Sequence, residues 1–194
     1  MCSWCWGFSQ AWQQLQTALP DTVTVTRLLG GLAADTNAAM PMAMQKQIAE
    51  TWQQIRQHIP GVDFNFAFWE NNQPRRSTYS ACRAVIAARA QGRQYDLAMT
   101  LAIQRAYYQQ ARNPSDEGTL TELAKELELD SQAFANALND PDTETQLQKE
   151  IQQARALHVD SFPSLVLEYR GEHGPIPIDY KDYQTMLEAI ENLI

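Results

Sequence analysis

The chain has 194 residues, of which 44% are hydrophobic and 20% are charged, a balance typical of a soluble globular protein. Its formal net charge of −8 argues against a nucleic-acid partner, because the phosphate backbone would be repelled. No apolar run approaches the roughly 18–20 residues that cross a bilayer, and the sequence opens without a secretory signal, so we expect a cytoplasmic protein with no membrane partner.

The amino-terminal part of the sequence predicts a helix, a strand and a second helix. The first helix follows the cysteines and ends at Pro20, with apolar residues at helical spacing at Phe8, Trp12, Leu15 and Leu19. The segment TVTVTRLL, residues 22–29, alternates Thr and Val and predicts a strand with one buried face. A helix is predicted over Met42–His58, and VDFNFAFW, residues 62–69, is compatible with a strand or a loop.

The middle of the chain, residues 75–150, is predicted to be an all-helical insertion with a break at Gly92. Thr119 and Glu122 have the spacing of a capping box, which predicts a helix start, and a further helix is predicted from about Asp142 to Leu157. Residues 75–112 hold seven Arg and one Asp, whereas residues 113–150 hold ten acidic residues and two Lys. The two halves would attract, although solvated faces with weak ion pairs explain the pattern equally well.

The carboxyl-terminal part predicts a strand at Leu165–Leu167, an edge partner in GPIPI and a last helix. The residues of that helix expected to face inward are Tyr183, Met186, Leu187, Ile190 and Ile194. Strands near both ends therefore bracket the helical region. The sequence predicts an α/β domain made of residues 1–74 and 151–194, interrupted by the helical insertion at 75–150.

Two cysteines, Cys2 and Cys5, stand in the opening MCSWCWGF and admit three interpretations. A zinc site needs four ligands, whereas Cys82 falls on the apolar stripe of a helix and the histidines are isolated, so we predict no metal. A purely structural disulfide would close a very short loop in a reducing compartment. A redox dithiol is the third interpretation.

The redox interpretation follows from the position of the motif at the start of a helix. Unsatisfied N–H groups and the helix dipole stabilise the thiolate of the first cysteine, and the second cysteine can then displace a captured substrate. Pro163 stands directly before the strand in DSFPSLVL. A cis-proline loop beside a dithiol would present backbone groups to an extended substrate.

Four segments, CSWCWGF, TYSACRAVIAARAQG, AYYQQARNPSD and LHVDSFPSLVLEY, together resemble the DsbA-like branch of the thioredoxin superfamily, in particular its cytosolic members without a signal sequence. The resemblance covers nearly the whole chain. It implies a thioredoxin fold with an inserted helical domain, Cys2 as the attacking thiol, Cys5 as the resolving thiol and Pro163 as a cis-proline facing them. We expect Trp4 and Phe162 to contact the substrate beside them.

Two departures from that family pattern bear on activity. The oxidising periplasmic relatives carry a histidine between the cysteines, where this sequence has Ser3 and Trp4, so equal oxidising power is not implied. A thioredoxin fold also places a strand directly before the dithiol, where this sequence has only Met1. We therefore expect the natural reading frame to start earlier and the first strand to be missing from the sheet.

The sequence thus predicts a thiol–disulfide oxidoreductase that acts on disulfide-containing proteins or small thiols, in the reducing or isomerising direction. It needs no cofactor beyond the dithiol, with glutathione as a candidate reductant. One alternative is a glutathione-dependent transferase or isomerase of the kappa-class and hydroxychromene-carboxylate type, although those enzymes use a single Ser or similar residue where Cys2 stands. Another is a non-catalytic binding module with the same fold. The sequence carries no signal for an oligomeric state.

Overall fold

The computed structural model describes the whole chain, from Met1 to Ile194, as nine α-helices and two β-strands. The helices are α1 (Ser3–Ala18), α2 (Met42–His58), α3 (Phe68–Asn71), α4 (Tyr79–Gln91), α5 (Gln94–Tyr108), α6 (Glu117–Glu126), α7 (Ser131–Leu138), α8 (Pro141–Ala156) and α9 (Tyr183–Glu191). The strands β1 (Leu165–Tyr169) and β2 (Glu172–Ile176) form an antiparallel hairpin. None of the helices combines the length and the hydrophobicity that a membrane span requires.

The first helix and the last elements of the chain share one core. Phe8 and Leu15 of α1 are buried together with Ile176 of β2 and Met186 of α9. The predicted first helix, the β1–β2 pair and the terminal helix are therefore confirmed. The prediction that Ile194 faces inward is wrong, because α9 ends at Glu191 and the helical period does not reach Ile194, which is 43% exposed.

A second core of aromatic side chains holds the start of α1. Trp52 of α2 is fully buried, and its indole N–H donates to the hydroxyl oxygen of Ser3 at 3.0 Å. Trp6 stacks on Tyr108 of α5 with ring centroids 5.6 Å apart, and its indole N–H donates to the carbonyl oxygen of Asp63 at 3.1 Å. These contacts fix the turn of α1 that carries the two cysteines.

The segment at residues 22–29, predicted to be a strand, forms none. Its contacts are with helices: Arg27 pairs with Asp96 at 2.7 Å, and the backbone N–H of Leu29 donates to the Glu150 carboxylate at 3.0 Å. A strand needs a neighbouring backbone to share its ladder, and β1 pairs with β2 alone. A cavity of about 320 Å³ is lined by residues 26–32 and by Leu165 of β1, among others.

The helical region contains one helix more than the sequence predicted. The extra helix, α7, begins after Asp130, whose side chain accepts from the backbone N–H groups of Gln132 and Ala133 at 2.9 Å. Phe134 and Leu138 form the apolar side of α7 and are buried. The signal was present as an N-cap residue followed by apolar residues four positions apart, but eight residues are too short for a periodicity to stand out.

The predicted capping box is wrong. Helix α6 begins at Glu117 after Asp116, so Thr119 and Glu122 lie inside the helix and not at its start. Threonine is a common N-cap residue, which is why Thr119 was predicted to start the helix. The helix begins two residues earlier, at Glu117. The break at Gly92 is confirmed, since it separates α4 from α5, and VDFNFAFW is a loop that leads into α3.

Ion pairs join the positive and negative halves of the helical region. Arg83 and Arg89 of α4 contact Glu144 and Glu150 of α8, at 2.7 and 2.5 Å respectively. Glu150 is 3% exposed, and its pairing with Arg89 offsets the cost of burying a carboxylate. The expected attraction between the halves is therefore present as direct contacts. The division of the chain at residues 75 and 150 stays a prediction.

Candidate active site

The two cysteines occupy the first turn of α1. Cys2 is the N-cap residue, and its sulfur accepts a hydrogen bond from the backbone N–H of Cys5 at 3.3 Å. The Cys2 thiol also donates to the carbonyl oxygen of Phe162 at 3.3 Å. One sulfur atom is therefore held between the amino end of a helix, the second cysteine and the loop before β1. Both cysteines are unbonded thiols and partly accessible.

The surroundings of Cys2 favour its ionised form. A hydrogen bond from the Cys5 side chain is the largest cause lowering the pKa of Cys2, from 9.0 to about 7; burial opposes this, and the N–H groups of Cys5 and Trp4 add to the lowering. The same hydrogen bond, together with burial, raises the pKa of Cys5 well above its ordinary value. At neutral pH the pair therefore consists of Cys2, a substantial fraction of which is thiolate, and Cys5, which stays protonated, as an attacking and a resolving group require.

The loop before β1 brings Phe162 and Pro163 to the dithiol. The peptide bond between these residues is cis, and the Phe162 carbonyl faces the Cys2 sulfur. A Cβ atom at Gly30 would lie 2.1 Å from the Phe162 ring, so only glycine leaves room for that ring. Pro163 and Phe162 were predicted to lie at the site from the sequence, but nothing in the sequence indicated that Gly30 makes room for them.

Trp4, between the cysteines, is half-buried and packs against Tyr180, with ring centroids 5.2 Å apart. Tyr180 lies between β2 and α9, and burial together with the nearby cysteines raises its pKa to about 12. The sequence analysis missed Tyr180, because no local pattern distinguishes it from other aromatic residues near a helix start. Its neutral ring supports Trp4 from the side of Phe8.

A cavity of about 350 Å³ opens beside Cys2. Trp4 and Phe162 line it on the side of the dithiol. Loops of the helical region also line it, with Arg75, Arg76, Ser77, Thr78, Asn113 and Ser115 among the lining residues. The sequence analysis assigned none of these loop residues to the site. They reach the dithiol only because the chain folds back on itself.

The third cysteine does not belong to this arrangement. Cys82 lies on α4 beside a small core of Ile86, Leu147 and Ile151, and burial raises its pKa to about 11. It is therefore a thiol at neutral pH, in agreement with a packing role. No three His, Cys, Asp or Glu side chains are grouped in a way that would hold a metal ion.

A family model described as Thioredoxin matches residues 1–185 of the chain. The chain belongs to the thioredoxin family. A structure from Nitrosomonas europaea, proposed to be a protein disulfide isomerase, is 23% identical with a TM-score of 0.83, covering 99% of this chain and 92% of that chain. The cytosolic disulfide reductase DsbM from Pseudomonas aeruginosa is 22% identical with a TM-score of 0.76, covering 100% and 96%. The thioredoxin fold of the DsbA type, predicted from the sequence, is confirmed.

Two further similarities concern what relatives of this thioredoxin-family chain bind. DsbM has also been solved with GSH, and that structure is 20% identical to this chain with a TM-score of 0.76, covering 100% of this chain and 94% of that chain. The ClpXP adapter protein SpxH from Bacillus subtilis (strain 168) is 25% identical over 193 residues. The match covers 96% of this chain and 63% of the length of that relative.

Proposed function

We propose that the protein is a thiol–disulfide oxidoreductase in which Cys2 attacks a substrate disulfide and Cys5 resolves the mixed disulfide. The observation that carries the proposal is the environment of the Cys2 sulfur, at the amino end of α1, within 3.3 Å of both the Cys5 N–H and the Phe162 carbonyl. A thiolate there is nucleophilic at neutral pH, and its resolving partner is one helical turn away.

Ionisation of Cys2 also prepares the site for substrate. The thiolate has no proton to donate, so the Phe162 carbonyl loses its partner and becomes free to accept from a backbone N–H of the substrate. Trp4 and Tyr180 supply an apolar wall next to the sulfur. We therefore assign Trp4, Phe162 and Pro163 to substrate binding.

The pKa of Cys2 favours the reducing direction. A value of about 7 matches thioredoxin, at about 7, and lies far above DsbA, at about 3.5. A less stabilised thiolate makes the disulfide form less oxidising, so we expect a reduction potential closer to that of thioredoxin, about −270 mV, than to that of DsbA, about −120 mV. Such a protein would act as a reductase in the cytoplasm, with glutathione as a candidate reductant and no other cofactor.

Trapping of the mixed disulfide tests the proposal. In the Cys5→Ala, Cys82→Ala variant, Cys2 is the remaining cysteine and has no resolving partner. Incubation with a small disulfide should yield one stable adduct, visible in the intact mass and released by dithiothreitol. The Cys2→Ala, Cys82→Ala variant is the control and should form far less adduct. An unmodified Cys2 in a folded, reduced sample would contradict the proposal.

An adapter role is the second candidate, and the similarity to SpxH favours it. An adapter works by binding, so its partner contacts would survive loss of the dithiol. Gel filtration of the Cys2→Ala, Cys5→Ala variant with purified ClpXP distinguishes the two roles. If the variant co-elutes with ClpXP as well as the wild type does, the result would support an adapter role. If neither the wild type nor the variant co-elutes with ClpXP, the adapter role would be excluded and the oxidoreductase proposal would stand.

A further inference from the structure

We propose that the cavity beside Cys2 selects disulfides that carry carboxylate groups, and that Arg76 is the residue that binds those groups. The proposal rests on the proposed function, since it concerns which disulfides reach the Cys2 sulfur. The substrate class is a small acidic disulfide, of the size of a short peptide, because about 350 Å³ falls at the lower end of small-molecule pockets.

The charge of the cavity is opposite to the charge of the protein. The chain has 23 acidic and 15 basic residues, yet the residues that line the cavity include Arg75 and Arg76 and no Asp or Glu. A cleft lined by one sign of charge concentrates ligands of the other sign and raises their rate of association. Anions are therefore favoured at the dithiol even though the protein as a whole repels them.

Arg75 and Arg76 differ in whether their charge is already paired. Arg75 forms an ion pair with Asp116 and donates to the carbonyl oxygen of Ser115 at 2.7 Å, so it holds the loop wall together. Arg76 is exposed and forms no ion pair with a carboxylate. Its guanidinium donates to the Met44 sulfur, a weak acceptor, at 3.8 Å. Its guanidinium can therefore receive a carboxylate in a bidentate arrangement.

A neutral donor completes this wall. Asn113 is 5% exposed and lines the cavity, and its side-chain oxygen accepts from the backbone N–H of Ser115 at 3.1 Å. That bond orients the amide and leaves its NH₂ group as a donor. A carboxylate held by Arg76 would thus have a second, uncharged donor in the same cavity.

The selected disulfide is reduced in two exchange steps. The Cys2 thiolate forms a bond to one sulfur of the substrate disulfide, and the substrate S–S bond breaks to release one thiolate. Cys5 then attacks the Cys2 sulfur, releases the second substrate thiolate and gives its proton to solvent. The substrate gains two electrons, and the dithiol becomes the Cys2–Cys5 disulfide. A small thiol reductant regenerates the dithiol in a later step.

Single-turnover oxidation tests the inference without the recycling step. Reduced protein, freed of reductant, is mixed with oxidised glutathione, hydroxyethyl disulfide or cystamine, which are anionic, neutral and cationic. Tryptophan fluorescence or thiol titration follows the rate. The Arg76→Gln variant should react about three- to fivefold more slowly with oxidised glutathione, the effect of one partly exposed charge pair. Its rate with hydroxyethyl disulfide should not change, and its rate with cystamine should not fall.

Two matched variants separate charge at the cavity from other effects. Arg93→Gln removes the same exposed charge at a residue outside the cavity and should leave all three rates unchanged. Arg76→Lys keeps the charge and should retain most of the preference. Added salt should slow the wild-type reaction with oxidised glutathione more than that of Arg76→Gln.

The outcomes distinguish the inference from the function on which it rests. Equal slowing of all three disulfides by Arg76→Gln, or no slowing of any, would overturn the role of Arg76. A wild-type protein that reacts with none of the three disulfides would instead refute the proposed function.

Discussion

The three cysteines differ in what surrounds each sulfur atom. Cys2 has hydrogen-bond donors around it and a pKa of about 7. Cys5 donates a hydrogen bond to Cys2 and keeps its proton, and Cys82 is half-buried against aliphatic side chains with a pKa of about 11. Residue type and spacing predicted the pair, whereas the identity of the ionised member depends on contacts. At neutral pH, Cys2 is the reactive thiol.

The pH dependence of alkylation should report the ionisation of Cys2. Because the folded protein lowers this pKa, the thiolate and the alkylation rate should rise through about pH 7 and level off well below the ordinary value of 9.0. Replacing Cys5 with Ala removes the largest cause of the lowering, so the midpoint should move toward 9.0. Iodoacetamide labelling followed by mass spectrometry measures both. Cys82→Ala is the control and should keep the wild-type midpoint.

Gly30 should be essential to the position of Phe162. A methyl group at Gly30 would lie 2.1 Å from the Phe162 ring, so Gly30→Ala must displace the ring and, with it, the carbonyl beside Cys2. We expect a loss of about 1–3 kcal/mol in the free energy of unfolding and slower formation of the trapped mixed disulfide. Gly174→Ala, where a methyl group meets nothing within 4 Å, is the control. Unchanged trapping in Gly30→Ala would contradict the role of the Phe162 loop.

At the scale of elements, long amphipathic helices were predictable and short or partner-dependent elements were not. Helix α2 has the predicted bounds because its seventeen residues carry a repeated apolar pattern that local forces satisfy. Helix α7 is half as long, so local forces alone would not keep it folded. Its packing against α4 and α6 supplies the stabilisation. Residues 22–29 have the alternation of a strand, but no backbone lies alongside to complete the ladder.

The N-cap of α7 should contribute measurably to stability. Asp130 accepts from two backbone N–H groups at 2.9 Å that have no partner within the helix. Asp130→Ala should lower the free energy of unfolding by about 0.5–2 kcal/mol, measured by urea denaturation. Gln132→Ala changes an exposed side chain in the same turn and should cost less. Equal losses in both variants would show that the cap contributes nothing specific.

Across the whole molecule, the helical region and the loop that lines the second cavity are joined through Glu150. Its carboxylate accepts from the Leu29 backbone N–H at 3.0 Å and pairs with Arg89 at 2.5 Å, and Arg89 also contacts Asp96. Arg27 pairs with the same aspartate. A buried carboxylate thus ties α8 to α4 and to the segment that supports the Phe162 loop.

Loss of that carboxylate should destabilise the protein more than loss of a similar exposed one. Glu150→Gln leaves a neutral acceptor opposite Arg89 and should cost about 1.5–3 kcal/mol, the range for hydrogen bonds to charged groups. Glu144→Gln also removes a partner of an α4 arginine, but Glu144 is 39% exposed, so we expect about 0–1 kcal/mol. Chemical denaturation measures both. A Glu144→Gln loss as large as that of Glu150→Gln would contradict this assignment.

The sequence by itself determined the long helices, the β1–β2 pair and the dithiol at a helix start, because each depends on neighbours within a few residues. That Pro163 faces the dithiol was implied by the resemblance to the DsbA-like branch and by no local pattern. Only the tertiary structure decided which thiol ionises, that Gly30 makes room for Phe162, that Tyr180 packs against Trp4, and that Arg76 lines the cavity beside Cys2. Those properties arise from contacts between segments far apart in sequence, and such contacts set burial, charge and hydrogen bonding without leaving a local pattern.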